Sequence, residues 1–172
     1  MRHRKLEQWG FSVIELIVVV AVILLIAAIA LPRMFNARKK ASEASVVGSI
    51  RAIQIAEAVY QSTYPAKGYS PSLANLGNNG STCETTSPTN ACLIDSVLAS
   101  GLKDGYIFDL LGDGKTPDQS YTLTATPQSS ASGPCTFSSD QSGGIQSSAA
   151  KPPPGLSAGG ASGGDTSCAA GN

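Results

Sequence analysis

The chain has 172 residues, a mass of 17.5 kDa and twelve basic against twelve acidic side chains, so its formal net charge is zero. That length holds one domain of ordinary size with an appendage, and the neutral balance argues against a dedicated nucleic-acid binder or a polybasic membrane patch. His3 is the single histidine, which excludes any site needing two imidazoles and leaves a Ser-His-Asp or Cys-His centre without a well-placed base; an ordinary soluble enzyme is not expected.

Met1–Gly10 carries Arg2, Arg4 and Lys5 against Glu7. Phe11–Leu31 follows, and from Leu16 to Leu31 sixteen apolar residues run without interruption. As a helix rising about 1.5 Å per residue this segment is roughly 30 Å long, which matches the hydrocarbon core of a bilayer. It has no polar face, so it is expected to lie in lipid or inside an assembly. The basic flank predicts that Met1–Gly10 stays in the cytoplasm and the remainder is exported, although Arg33, Arg38, Lys39 and Lys40 on the other side weaken that signal. A secretory signal peptide is the competing reading. Its apolar region spans about 7–15 residues and ends in small residues, whereas this run is longer and leads without a polar break into more helix.

Glu15 does not belong in such a run. A carboxylate at membrane depth costs at least ~2.5 kcal/mol, so it needs either a partner or a place near the headgroups. Its surroundings are specific: a short basic leader ends in Gly10, and Phe11-Ser12-Val13-Ile14-Glu15-Leu16 opens the apolar helix. Pro32 falls twenty-one residues after Phe11. This pattern of Gly, aromatic, Ser, two apolar residues and Glu resembles the cleavage and methylation signal of type IV prepilins and type II secretion pseudopilins, and Pro32 stands where pilins of that family commonly carry a helix-weakening proline. The resemblance covers about residues 1–60. It implies a membrane peptidase that cuts Gly10–Phe11 and methylates the new amine of Phe11. It also implies that Glu15 meets the positive N-terminal amine of a neighbouring subunit in a filament, a pair that low dielectric strengthens.

After Pro32 the polar segment Arg33–Tyr64 still reads as helix. Val46, Ile50, Ile53 and Tyr60 recur at helical spacing, with Val47, Ile55 and Val59 widening the stripe and Arg38, Lys39, Lys40, Glu43, Arg51 and Glu57 mostly off it. Pro32 is expected to bend or loosen the helix and Pro65 to end it. Residues 65–104 read as a connecting region with short helical turns at 71–76 and 94–100. Tyr106–Leu110 and Ser120–Ala125 read as strands of a hairpin around the turn-rich Gly112–Asp118, with further strands at Cys135–Ser139 and near Ile145. The expected fold is α+β: a long N-terminal helix, hydrophobic then amphipathic, packed on a small antiparallel sheet at 105–147. From Gln146 onward twenty of twenty-seven residues are Gly, Ser, Ala or Pro, so the tail 148–172 is expected to form a loosely held coat.

Cys83, Cys92, Cys135 and Cys168 all lie in the half expected to be exported. The region from Tyr64 on has few large apolar residues, so disulfides are the natural supplement in an oxidising compartment. Four cysteines allow three pairings. Cys83–Cys92 would close a short loop and Cys135–Cys168 would pin the Gly-rich tail to the sheet. No zinc spacing is present, and Asp109–Asp118 resembles a calcium loop only loosely, since Leu110 and Leu111 stand where ligands would be needed; no cofactor or metal is expected.

These readings converge on a structural subunit rather than an enzyme. Residues 1–10 are expected to be removed, and residues 11–64 to form the helix, of which 11–31 spans the membrane and then the filament core. The chain would be held in the inner membrane as a precursor and then polymerise into a surface pilus. Its partners would be copies of itself, the prepilin peptidase and the assembly machinery, with no specific nucleic acid. A type II secretion pseudopilin or minor pilin is the alternative within the family. A single-pass anchored periplasmic binding module is the alternative outside it.

Overall fold

The computed structural model describes residues 12–78, 83–129, 131–149 and 168. Helix α1 runs from Val13 to Thr63, and its assignment continues through Pro32. The chain divides into two units, one up to Arg38 and one from Lys39. In the first, every large apolar side chain from Val13 to Leu31 is exposed, between 46% and 75%. At the other end of α1 the amide of Tyr64 donates to Tyr60 at 2.8 Å, and Pro65 then interrupts the ladder. Lys67 and Gly68 turn back onto the Tyr64 carbonyl.

The second unit is an α+β head. Its sheet contains β1 (Leu102–Lys103), β2 (Tyr106–Gly112), β3 (Tyr121–Pro127), β4 (Cys135–Asp140) and β5 (Ile145–Ala149), in the order β1-β2-β3-β4-β5. Every neighbouring pair is antiparallel, with registers such as Phe108↔Ala125, Leu110↔Leu123 and Ala125↔Phe137. Two-residue alternation decides which side faces inward. Tyr106, Phe108 and Leu110 on β2 are buried, as are Tyr121, Leu123 and Ala125 on β3 and Cys135, Phe137 and Ser139 on β4. This inner face packs on Val46, Ile50, Ile53, Ala56 and Tyr60 of α1 to form one core.

The buried stripe of α1 is narrower than its sequence suggests. Ile55 and Val59 are 67% and 41% exposed, so neither helps to cover the sheet. Glu57, expected off the stripe, is instead 0% exposed. The steps from Val46 through Ile50, Ile53 and Glu57 to Tyr60 are four, three, four and three residues, which is the repeat of one helix face. Glu57 is carried inward by its position, whatever its charge.

Two short helices complete the connecting region. In α2 (Leu73–Leu76) both Leu73 and Leu76 reach the core, and the chain from Ala91 to Ile94 bonds along this turn, with Leu93 donating to Leu76 at 2.7 Å. In α3 (Ser96–Ala99) the Asp95 side chain caps the helix by accepting from the Leu98 amide at 2.8 Å, and it also meets Lys103 at 3.4 Å. That amide is the main reason the Asp95 carboxyl is held below its usual range. Asp104 and Gly105, both at positive φ (52° and 78°), form the two-residue turn between β1 and β2, a conformation that favours the Asp-Gly pair.

Candidate functional site

The most distinctive surface is the exposed apolar part of α1, a helix long and apolar enough to cross a membrane. Glu15 lies in its first turn and is exposed. It is the sole ionisable side chain between Val13 and Pro32, so any environment that covers this helix also surrounds a carboxylate. The ladder begins with Leu16 donating to the Ser12 carbonyl at 3.3 Å. Gly10 and Phe11 lie outside the described residues, as do residues 150–167 of the Gly-rich tail.

The head is braced at two places. Cys83 is bonded to Cys92 with Cα atoms 5.9 Å apart, and Cys135 to Cys168 with Cα atoms 5.7 Å apart. The second bond begins on the inward side of β4, where Cys135 is 2% exposed, and brings Cys168 against the core. The Cys168 carbonyl there accepts a hydrogen bond from the Ser147 hydroxyl on β5 at 3.1 Å. Replacing both Cys135 and Cys168 with alanine is expected to lower head stability by about 3–4 kcal/mol, from the loop-closure entropy of a 33-residue separation. Denaturant unfolding of the oxidised chain and the double variant measures that difference, and a loss below about 1 kcal/mol would show that the bond braces nothing.

A third feature was not legible as a site. Where α1 ends, the turn 64–70 and the β2–β3 loop meet around two buried carboxyl groups. Glu57 accepts from the Ser70 amide at 2.8 Å through one oxygen, while the other is buried without a partner. Asp118, 7% exposed, likewise has one buried oxygen without a partner. Burial pushes the Glu57 carboxyl up to about 7; the Ser70 amide opposes this, and the neighbouring Asp118 adds to it. Burial, together with the adjacent Asp113, raises Asp118 as well. Asp113 is drawn down to about 2, chiefly by the Lys115 amide that it accepts at 3.0 Å. The loop expected at Gly112–Asp118 is thus an Asp-centred turn, in which Asp113 also receives the Gln119 amide, the Ser120 hydroxyl and the Lys115 ammonium. Among the described residues no group of three or more His, Cys, Asp or Glu side chains could hold a metal ion.

No family model matches this chain, and no match was found among curated proteins or solved structures.

Proposed function

We propose that this chain is a type IV pilin-like subunit that polymerises through its apolar helix into a surface filament. The observation that carries the proposal is the uncovered apolar segment of α1, interrupted by a single carboxylate at Glu15 and continuing into the helix of a disulfide-braced head. The large apolar side chains of Val13–Leu31 are exposed, and lipid or other copies of the same helix would cover them. A membrane anchor accounts for the length of the segment but gives Glu15 no role. In the filament, removal of Met1–Gly10 by a prepilin peptidase leaves a positive amine on Phe11, and Glu15 of the neighbouring copy pairs with it. That pair sets the axial step as each subunit leaves the bilayer. The contact is heterologous and does not close, so it propagates as a helix. The heads form the outer surface, and the inner-membrane assembly machinery supplies the work of extraction.

The test is intact-mass measurement on filaments sheared from the cell surface. The subunit is expected to begin at a methylated Phe11, leaving nine basic and eleven acidic side chains. Filaments whose subunit retains Met1–Gly10 would overturn the reading, as would a surface free of filaments containing this chain.

A further inference from the structure

The junction around Glu57 and Asp118 buries two carboxyl groups, each with one oxygen that has no hydrogen-bond partner, and such burial is costly. Three segments meet there. The Asp118 amide donates to the Lys67 carbonyl at 2.8 Å, and the Asp118 carbonyl accepts from the Tyr69 amide at 3.0 Å. One residue further on, the Ser70 amide donates to Glu57 of α1 at 2.8 Å. The strap 67–70 is therefore tied to the β2–β3 loop on one side and to the helix on the other. Gly68, at φ 79°, lets it pass so close to Asp118 that a Cβ would collide with the Asp118 backbone. A surface cleft of about 470 Å³, lined among others by Gln61, Pro65, Pro117 and Asp118, brings solvent to this crossing.

The charges around the crossing make it sensitive to protons. From α1, Glu57 is accompanied by Tyr60; from β3, Tyr121 faces it; from the loop, Asp118 approaches with Asp113 behind it. Tyr64 lies beside Tyr60, Tyr69 beside Tyr121, and Asp140 at the end of β4 also acts on Tyr121. The cations nearby are Lys67, which is exposed, and Lys115, which pairs with Asp113 at 3.3 Å. Among the described residues neither Glu57 nor Asp118 has an ion-pair partner. When both carboxyls carry protons the crossing is neutral and closed. Ionised, each buried group has an oxygen with no donor, and the two charges repel through low-dielectric surroundings.

We propose that Glu57 and Asp118 form a proton-operated latch: at acidic pH they hold the strap 67–70 and the β2–β3 loop against α1, and as pH rises towards neutrality they release them. The latch does not depend on the filament reading and would operate equally in an anchored monomer. The sign follows from the shifted group. Glu57 titrates near 7 in the closed head, against an ordinary value of 4.5 once exposed. Closure is therefore fully favoured below about pH 4.5 and weakens as pH rises towards 7, with no further change above it.

The test is amide hydrogen exchange on the full chain in detergent micelles, with rates corrected for intrinsic pH dependence. Between pH 5 and pH 8 the opening equilibrium at Tyr69, Ser70 and Asp118 is expected to rise by roughly ten- to a hundredfold. Glu57→Gln keeps an acceptor for the Ser70 amide without the charge and should stay closed across the range. Asp118→Asn removes the repelling neighbour and should move the transition to lower pH. Carbon-13 carboxyl titration of Glu57 in the unaltered chain, with a midpoint near 7, gives a readout that does not depend on any variant folding. Exchange independent of pH would overturn the latch, as would an unchanged rise in Glu57→Gln. A Glu57 midpoint below 5 would overturn it too, and an unmoved transition in Asp118→Asn would remove Asp118 from it.

Discussion

Replacing Glu15 with alanine is expected to cut the yield of sheared surface filaments sharply while the processed subunit still accumulates in the membrane. Removing a charge from an apolar helix favours insertion by about 2.5–3.5 kcal/mol, so the variant should enter the bilayer at least as well as the parent chain. The Gly10–Phe11 bond is untouched, and cleavage should continue. What the variant lacks is the carboxylate that would meet a neighbour's amine as the subunit leaves the membrane. Normal filament yield, with normal membrane levels, would show that Glu15 is an interfacial carboxylate and that assembly proceeds without it. The comparison needs both fractions, because a fall in filaments that followed a fall in the membrane pool would report on insertion instead.

The second large effect concerns two isoleucines on α1, two residues apart. Ile53 is fully buried against the sheet, and Ile55 is 67% exposed. Ile53→Ala removes core methylenes and leaves a cavity, at a cost of about 2–5 kcal/mol to the head. Ile55→Ala should stay within about 0.5 kcal/mol. Denaturant unfolding of the full chain in detergent, followed by near-ultraviolet circular dichroism of the head tyrosines, measures both. Equal losses at the two positions would contradict the helix face that the structure assigns to the core.

That pair of residues also marks where the sequence stops being informative. The apolar run, the amphipathic half of the helix and the alternation along Tyr106–Leu110 are local patterns. Each is visible because one face or one segment must avoid water. The long helix ending before Pro65 and the antiparallel sheet follow from them, and helical turns at Leu73–Leu76 and Ser96–Ala99 fall inside the stretches that looked helical. The buried stripe is set by helix geometry: Ile55 lies two residues, about 200° of turn, from Ile53, so the face that carries Ile53 to the sheet turns Ile55 to solvent. Glu57 departs from expectation for a different reason: its charge points to solvent, whereas its spacing from Ile53 and Tyr60 places it on the core face. The partnership with Asp118 links residues sixty-one apart, and no spacing rule anticipates it. The Asp104-Gly105 turn carries a turn-forming dipeptide, but the strand it opens from, Leu102–Lys103, is too short to show alternation in the sequence.

The order of the cysteine bridges has a consequence for biogenesis. Cys83 joins Cys92, and Cys135 joins Cys168, so each bridge links neighbours in the cysteine sequence and neither encloses nor crosses the other. A chain threaded across a membrane from its N-terminal side presents its thiols one after another. An oxidase that simply couples each newly arrived thiol to the one waiting before it produces this connectivity at the first attempt. The strands emerge in the same order as they lie in the sheet, so each is placed beside its partner before the next arrives. In the exported chain proposed above, a thiol oxidase alone would therefore suffice for the head, and its yield is expected to be indifferent to loss of a disulfide-shuffling enzyme.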